Sequence, residues 1–128
     1  MRALLDTSVL IADRDGVALT IPDEVDEFAV SVVSVAELAV GVLVATDAEE
    51  RGRWLDALSA VERTYDPLPV TTDVAHAYAR LVANVRRAGR NPRVMDTLVA
   101  ATAVANECVV LTRDADFAVL EGVPILRA

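Results

Sequence analysis

Ala3-Leu4-Leu5 is a short apolar run that stops abruptly at Asp6-Thr7-Ser8, and apolar residues return in Val9, Leu10 and Ile11. A run without polar alternation predicts a parallel strand buried on both faces, followed here by a helix from about Thr7 to Ala12. Asp6 then stands at the strand's carboxyl end, where open α/β sheets bind ligands. The same spelling suits Asp6 as a simple helix cap. The pattern returns near the end of the chain, where Cys108 to Leu111 runs into Thr112-Arg113-Asp114-Ala115-Asp116-Phe117. There Asp116 is the expected cap of a short helix from Phe117 to Leu120, which leaves Asp114 free for a site. Ala29 to Val33 is a further buried strand, ending at Ser34. Ser34-Val35-Ala36-Glu37 spells a capping box, so Glu37 has a structural reading, reaching back to the Ser34 amide, beside a functional one.

The remaining segments alternate with these strands. Asp47 to Val61 reads as a helix, with Trp54 as a packing anchor. Tyr65 to Val70 is extended, and Pro67 and Pro69 remove ladder donors, so it belongs at a sheet edge. Thr72 or Asp73 is expected to cap the next helix, which carries Val74, Ala77, Tyr78, Leu81, Val82 and Val85. His76 is the lone histidine and has no second soft ligand nearby, which disfavours zinc. Gly89-Arg90-Asn91-Pro92 makes a turn. Met95 to Ala105 is rich in alanine and apolar almost all round, a buried helix with Asp96 in its first turn. Gly122 to Leu126 is a last edge strand. No linker or repeat divides residues 1–128, and the expected architecture is a single three-layer α/β/α sandwich with a mostly parallel sheet.

Composition narrows the surroundings. Hydrophobic residues make up 54% of the 128 residues, and the mean hydropathy is +0.39. No apolar run approaches the ~20 residues of a membrane span, and Asp6 breaks the opening run too early for a signal peptide. The expectation is a cytoplasmic protein that buries some of its apolar surface against another chain. Cys108, the single cysteine, is expected as a small core residue. The formal net charge of −8 argues against nucleic acid taken as a sum, yet Arg80, Arg86, Arg87, Arg90 and Arg93 fall in one stretch without an acid.

Asp6 and Asp114 follow strands, Glu37 opens the helix after a strand, and Asp96 opens the helix before one. In a parallel sheet with these strands adjacent, the four acids converge on one edge. Two ionised carboxylates ~5 Å apart repel by roughly 3 kcal/mol at an effective dielectric of ~20. Such a cluster takes up protons or binds a cation. Oxygen-only ligation points to Mg²⁺, with Mn²⁺ as a substitute, rather than zinc. An ion of that kind suits phosphodiester cleavage.

Four segments carry a family resemblance: Leu4-Leu5-Asp6-Thr7-Ser8; Ser34-Val35-Ala36-Glu37-Leu38 with Gly41; Asp96 to Ala103; and Leu111 to Phe117. In this order they resemble the PIN-domain ribonucleases, specifically the VapC toxins of bacterial toxin–antitoxin pairs. The resemblance implies a five-stranded PIN-like sheet and a magnesium-dependent endoribonuclease that inhibits translation until a VapB-type antitoxin occludes its site. It carries over Asp6, Glu37, Asp96 and Asp114 as the catalytic, metal-holding quartet, with Asp116 as an additional acid and Thr112 as a nearby hydroxyl. Arg86, Arg87, Arg90 and Arg93 are then expected to hold the RNA backbone, and a homodimer or toxin–antitoxin hetero-oligomer is the expected assembly. The alternative is a catalytically silent PIN-fold module that binds RNA or a protein partner. A phosphoacceptor receiver domain, similar in its strand-end acids, uses a lysine that this chain lacks.

Overall fold

A computed structural model describes residues 1–128. Strand β1 (Arg2–Leu5) leads into α1 (Thr7–Arg14), and β2 (Glu27–Ala29) into α2 (Val32–Val44) and α3 (Ala48–Thr64). Helices α4 (Thr72–Arg87) and α5 (Val94–Ala105) follow, then β3 (Val109–Thr112), a 3-10 helix (Ala115–Val119) and β4 (Ile125–Arg127). The sheet order is β2-β1-β3-β4 and every pairing is parallel. In the two central strands Leu5 stands opposite Leu111, so both strands deliver their carboxyl ends to the same edge.

The alternation of side chains along β1 builds the layers. Leu4 enters one core with Val110, Val99 and Ala100 of α5, and Val74 and Leu81 of α4. Ala3 and Leu5 enter the opposite core with Val9 and Leu10 of α1, Leu38 of α2 and Val61 of α3. Both faces of the sheet are therefore covered, as the unbroken apolar runs require. Helix α5 lies close against the sheet because its buried face is mostly alanine, valine and threonine. Its two buried hydroxyls are satisfied internally: Thr97 Oγ1 donates to the Arg93 carbonyl at 2.6 Å and Thr102 Oγ1 to the Leu98 carbonyl at 2.8 Å.

The sheet has four strands rather than the expected five. The segment Tyr65–Val70 reaches the sheet only as a single parallel bridge from Leu68 to Ser31. Leu68 N–H donates to the Val30 carbonyl at 2.8 Å, and Val32 N–H donates to Leu68 at 3.0 Å. Both backbone groups of Leu68 face β2, so Pro67 and Pro69 on either side of it face the open edge, where a missing N–H costs no ladder bond. Caps also shift. The chain leaves the sheet at Val30, so α2 starts before Ser34, and Ser31 is its cap, accepting from the Ser34 amide at 3.2 Å. Thr71, not Thr72 or Asp73, caps α4. Trp54 anchors the α2–α3 pair as expected. Its ring lies over Gly41, where an added Cβ would fall 2.2 Å from ring carbons.

Candidate active site

The carboxyl edge of β1 and β3 is closed by hydroxyls as well as acids. Asp6 N–H donates to the Leu111 carbonyl at 3.0 Å, which fixes the residue beside β3. The Asp6 side chain is buried and makes no cap bond to α1. Instead its Oδ2 accepts from Ser8 Oγ at 2.8 Å and from Thr112 Oγ1 at 2.9 Å. Thr112 Oγ1 in turn accepts from the Asp114 amide at 2.9 Å, and Ser8 Oγ from the Arg113 amide at 3.1 Å. The ends of two strands are thus stitched together around one carboxylate.

Glu37 sits in the second turn of α2, one turn later than a helix starting at Ser34 would place it. The capping-box role is overturned, because Ser31 does the capping and Glu37 Oε1 accepts from Thr7 Oγ1 at 2.9 Å. Burial raises the Glu37 carboxyl above its usual range, against the Thr7 hydrogen bond, and the Asp6 charge raises it further. Asp96, in the first turn of α5, is pushed up to about 6: burial is the largest cause, then the Asp6 charge, opposed by Arg93, with Asp114 and Glu37 adding to the rise. Asp96 therefore feels the other three acids at once.

Asp114 and Asp116 exchange their expected duties. Asp114 Oδ1 accepts from the Asp116 amide at 2.8 Å and caps the 3-10 helix, while its Oδ2 turns toward Arg93. Asp116 is exposed at the rim and joins the group only through Arg93. Of the four arginines named for the backbone of a nucleic acid, Arg93 meets the acids directly. Arg90 shares with it a cavity of about 210 Å³ that also touches Asp96 and Asp116. Arg86 and Arg87 lie exposed in the last turn of α4 and line neither that cavity nor its neighbour beside the 3-10 helix. Sequence reasoning left Thr7 and Ser8 out of the site. Their signal was the pair of hydroxyls directly after the strand-end acid.

No three of these carboxylates are already drawn into the spacing of a metal sphere. The donor chemistry nevertheless fits a hard cation: the site offers oxygens only, Asp6 keeps Oδ1 free of hydrogen bonds, and Asp96 carries excess negative field. Magnesium commonly takes one or two carboxylates and keeps its waters, so a closed cage is not required.

Residues 3–123 match the PIN domain family. Ribonuclease VapC5 of Mycobacterium tuberculosis is 42% identical over 122 residues, covering 93% of this chain and 87% of that protein. The chain is a PIN domain of the VapC family. Ribonuclease VapC4 of the same organism is 38% identical, with 98% and 95% covered. Among solved structures, a member of the VapBC family of toxin–antitoxin systems, VapBC-5 from Mycobacterium tuberculosis, superposes with a TM-score of 0.82 at 36% identity, covering 99% of this chain and 98% of that one. VapBC from Salmonella typhimurium reaches 0.80 at 19% identity over 99% and 98% of the two chains, a likeness of fold alone. In this PIN domain the family's sheet is present in four strands, with the acids grouped at its carboxyl edge.

Proposed function

We propose that this PIN domain is a magnesium-dependent endoribonuclease toxin that cleaves RNA phosphodiester bonds and inhibits translation in the cytoplasm until an antitoxin binds it. The observation that supports this reading is the placing of Asp6 at the end of β1 by Ser8 and Thr112, of Glu37 beside Thr7, and of Asp96 and Asp114 about the one Arg93 guanidinium. The names of its VapC relatives support the same reading. Asp6, Glu37, Asp96 and Asp114 are the residues that would hold Mg²⁺, with Mn²⁺ able to substitute. When bound, the ion would supply charge neutralisation and an activated water. The chain's own groups do the rest. Ser8 and Thr112 fix the Asp6 carboxylate so that its free oxygen points one way, and Thr7 does the same for Glu37. Arg90 and Arg93 offer guanidinium donors for phosphate oxygens.

Incubating the purified chain with RNA and Mg²⁺, with Asp96→Asn in parallel, tests the reading. Cleavage by the parent and a loss of at least about a hundredfold in the variant is the expected result. Equal cleavage by both overturns the mechanism.

The proposed partner is a VapB-type antitoxin that covers the acidic site, assembled as a toxin–antitoxin hetero-oligomer or about a toxin homodimer. The exposed apolar side chains of Val40, Leu43 and Val44 in α2 and Leu55 in α3 support a second chain. Co-expression with the adjoining reading frame is expected to yield a stable complex that no longer cleaves RNA.

A further inference from the structure

The acids of the site already have a cation. Arg93 Nη1 lies 3.3 Å from Asp96 Oδ2 and 3.4 Å from Asp114 Oδ2, and it also pairs with Asp116 Oδ2. One guanidinium nitrogen thus serves three carboxylates from the start of α5 and the loop after β3. The backbone beneath it is pinned: the Arg93 carbonyl accepts from the Thr97 amide at 2.9 Å and from Thr97 Oγ1 at 2.6 Å. Its side chain is not pinned, being 62% exposed, and solvent-exposed ion pairs hold weakly. The adjoining cavity is lined by Arg90, Asn91 and Arg93 itself, so the guanidinium has a polar space to enter.

We propose that Arg93 is a resident counter-cation of the metal-free site, which a divalent ion displaces toward this cavity, where Arg93 and Arg90 together take a phosphate of the substrate strand. The proposal rests on the metal-dependent reading above and adds a coupling to it. Arg93 and an incoming ion compete for the same Oδ2 atoms of Asp96 and Asp114, and their like charges repel. Asp116, outermost of the three acids, becomes the tether that keeps the displaced arginine at the rim. Because coupling between two ligands is reciprocal, metal binding frees the phosphate clamp and phosphate binding eases entry of the metal.

Calorimetric titration of Mn²⁺ into the folded chain, Arg93→Gln and Arg93→Lys tests this without reading cleavage. Coulomb's law for a double and a single charge about 6 Å apart at solvent-like dielectric predicts Mn²⁺ binding about tenfold tighter in Arg93→Gln. Arg93→Lys, which keeps the charge, stays near the parent. Adding a short 2′-O-methyl oligoribonucleotide tightens Mn²⁺ binding in the parent and not in Arg93→Gln. Binding by Arg93→Gln alone, with none by the parent, overturns the displacement of Arg93 by the ion. Equal or weaker Mn²⁺ binding by Arg93→Gln overturns it and leaves the metal-dependent reading intact. An oligonucleotide effect of the same size in both overturns the phosphate clamp. Absence of Mn²⁺ binding in all three folded proteins overturns the proposal together with the reading on which it rests.

Discussion

Thr112 is wholly buried, donating to Asp6 and accepting from the Asp114 amide. Thr112→Val keeps its shape, strands the Asp114 amide and leaves Asp6 Oδ2 with Ser8 alone, so urea denaturation is expected to show a loss of about 1–3 kcal/mol. Thr112→Ser, which keeps the hydroxyl, is expected to restore most of it. Although paired with Arg93, Asp96 sets a pH dependence opposite in sign to that of an acid held below its usual range, because burial and the neighbouring acids outweigh the arginine. Its folded carboxyl titrates near 6 against 3.8 for the free group, so between these values the folded state binds more protons. Stability of the metal-free protein therefore falls as pH rises from about 4 to about 6, and the cost persists above that window. Asp96→Asn removes it. Discounted for partial exposure, the gain is about 1 kcal/mol at pH 7.5 and vanishes near pH 4, as thermal melts at the two values would show. The acids of this site were legible because each sits at a strand end or in a helix's opening turns, positions a one-dimensional pattern reveals. Thr112 entered only as a nearby hydroxyl carried by the resemblance, and Ser8 not at all, since the partners that tie them across the strand ends lie 106 and 105 residues away along the chain.

Two serines three residues apart decide how α2 begins. Ser31 accepts the cap bond, whereas Ser34 Oγ is buried with no partner. Ser31→Ala is expected to cost about 1 kcal/mol in chemical denaturation. Ser34→Ala, which removes an orphaned hydroxyl, is expected to be neutral or stabilising, the reverse of what a capping box demands. Periodicity revealed that a helix was here. It did not reveal its first residue, because both serines are good caps and the choice is made by where Leu68 bonds Val30. Further along α2, Gly41 leaves the room that Trp54 fills. Gly41→Ala drives a methyl into the ring and is expected to destabilise by about 1–3 kcal/mol. Trp54→Leu in the same chain should recover part of that loss, a coupling that a double-mutant cycle measures.

At the scale of the whole molecule, a chain of net charge −8 carries self-repulsion that a bound cation would relieve. A ligand that binds only the folded state stabilises it by mass action, by about 2.7 kcal/mol at a hundred times its dissociation constant. The melting temperature is expected to rise with Mn²⁺ in the parent chain and to stay flat in Asp96→Asn. The layered architecture was legible because strands buried on both faces lack polar alternation. The strand count was not, because Tyr65–Val70 looks extended whether or not it pairs. That failed strand has its own consequence. Past β2, the open flank of the sheet is fronted by Pro67 and Pro69 on either side of Leu68, which offer an incoming peptide no amide to zip onto. That flank therefore resists ribbon-to-ribbon pairing between copies, and a chain that covers it would be held through side chains.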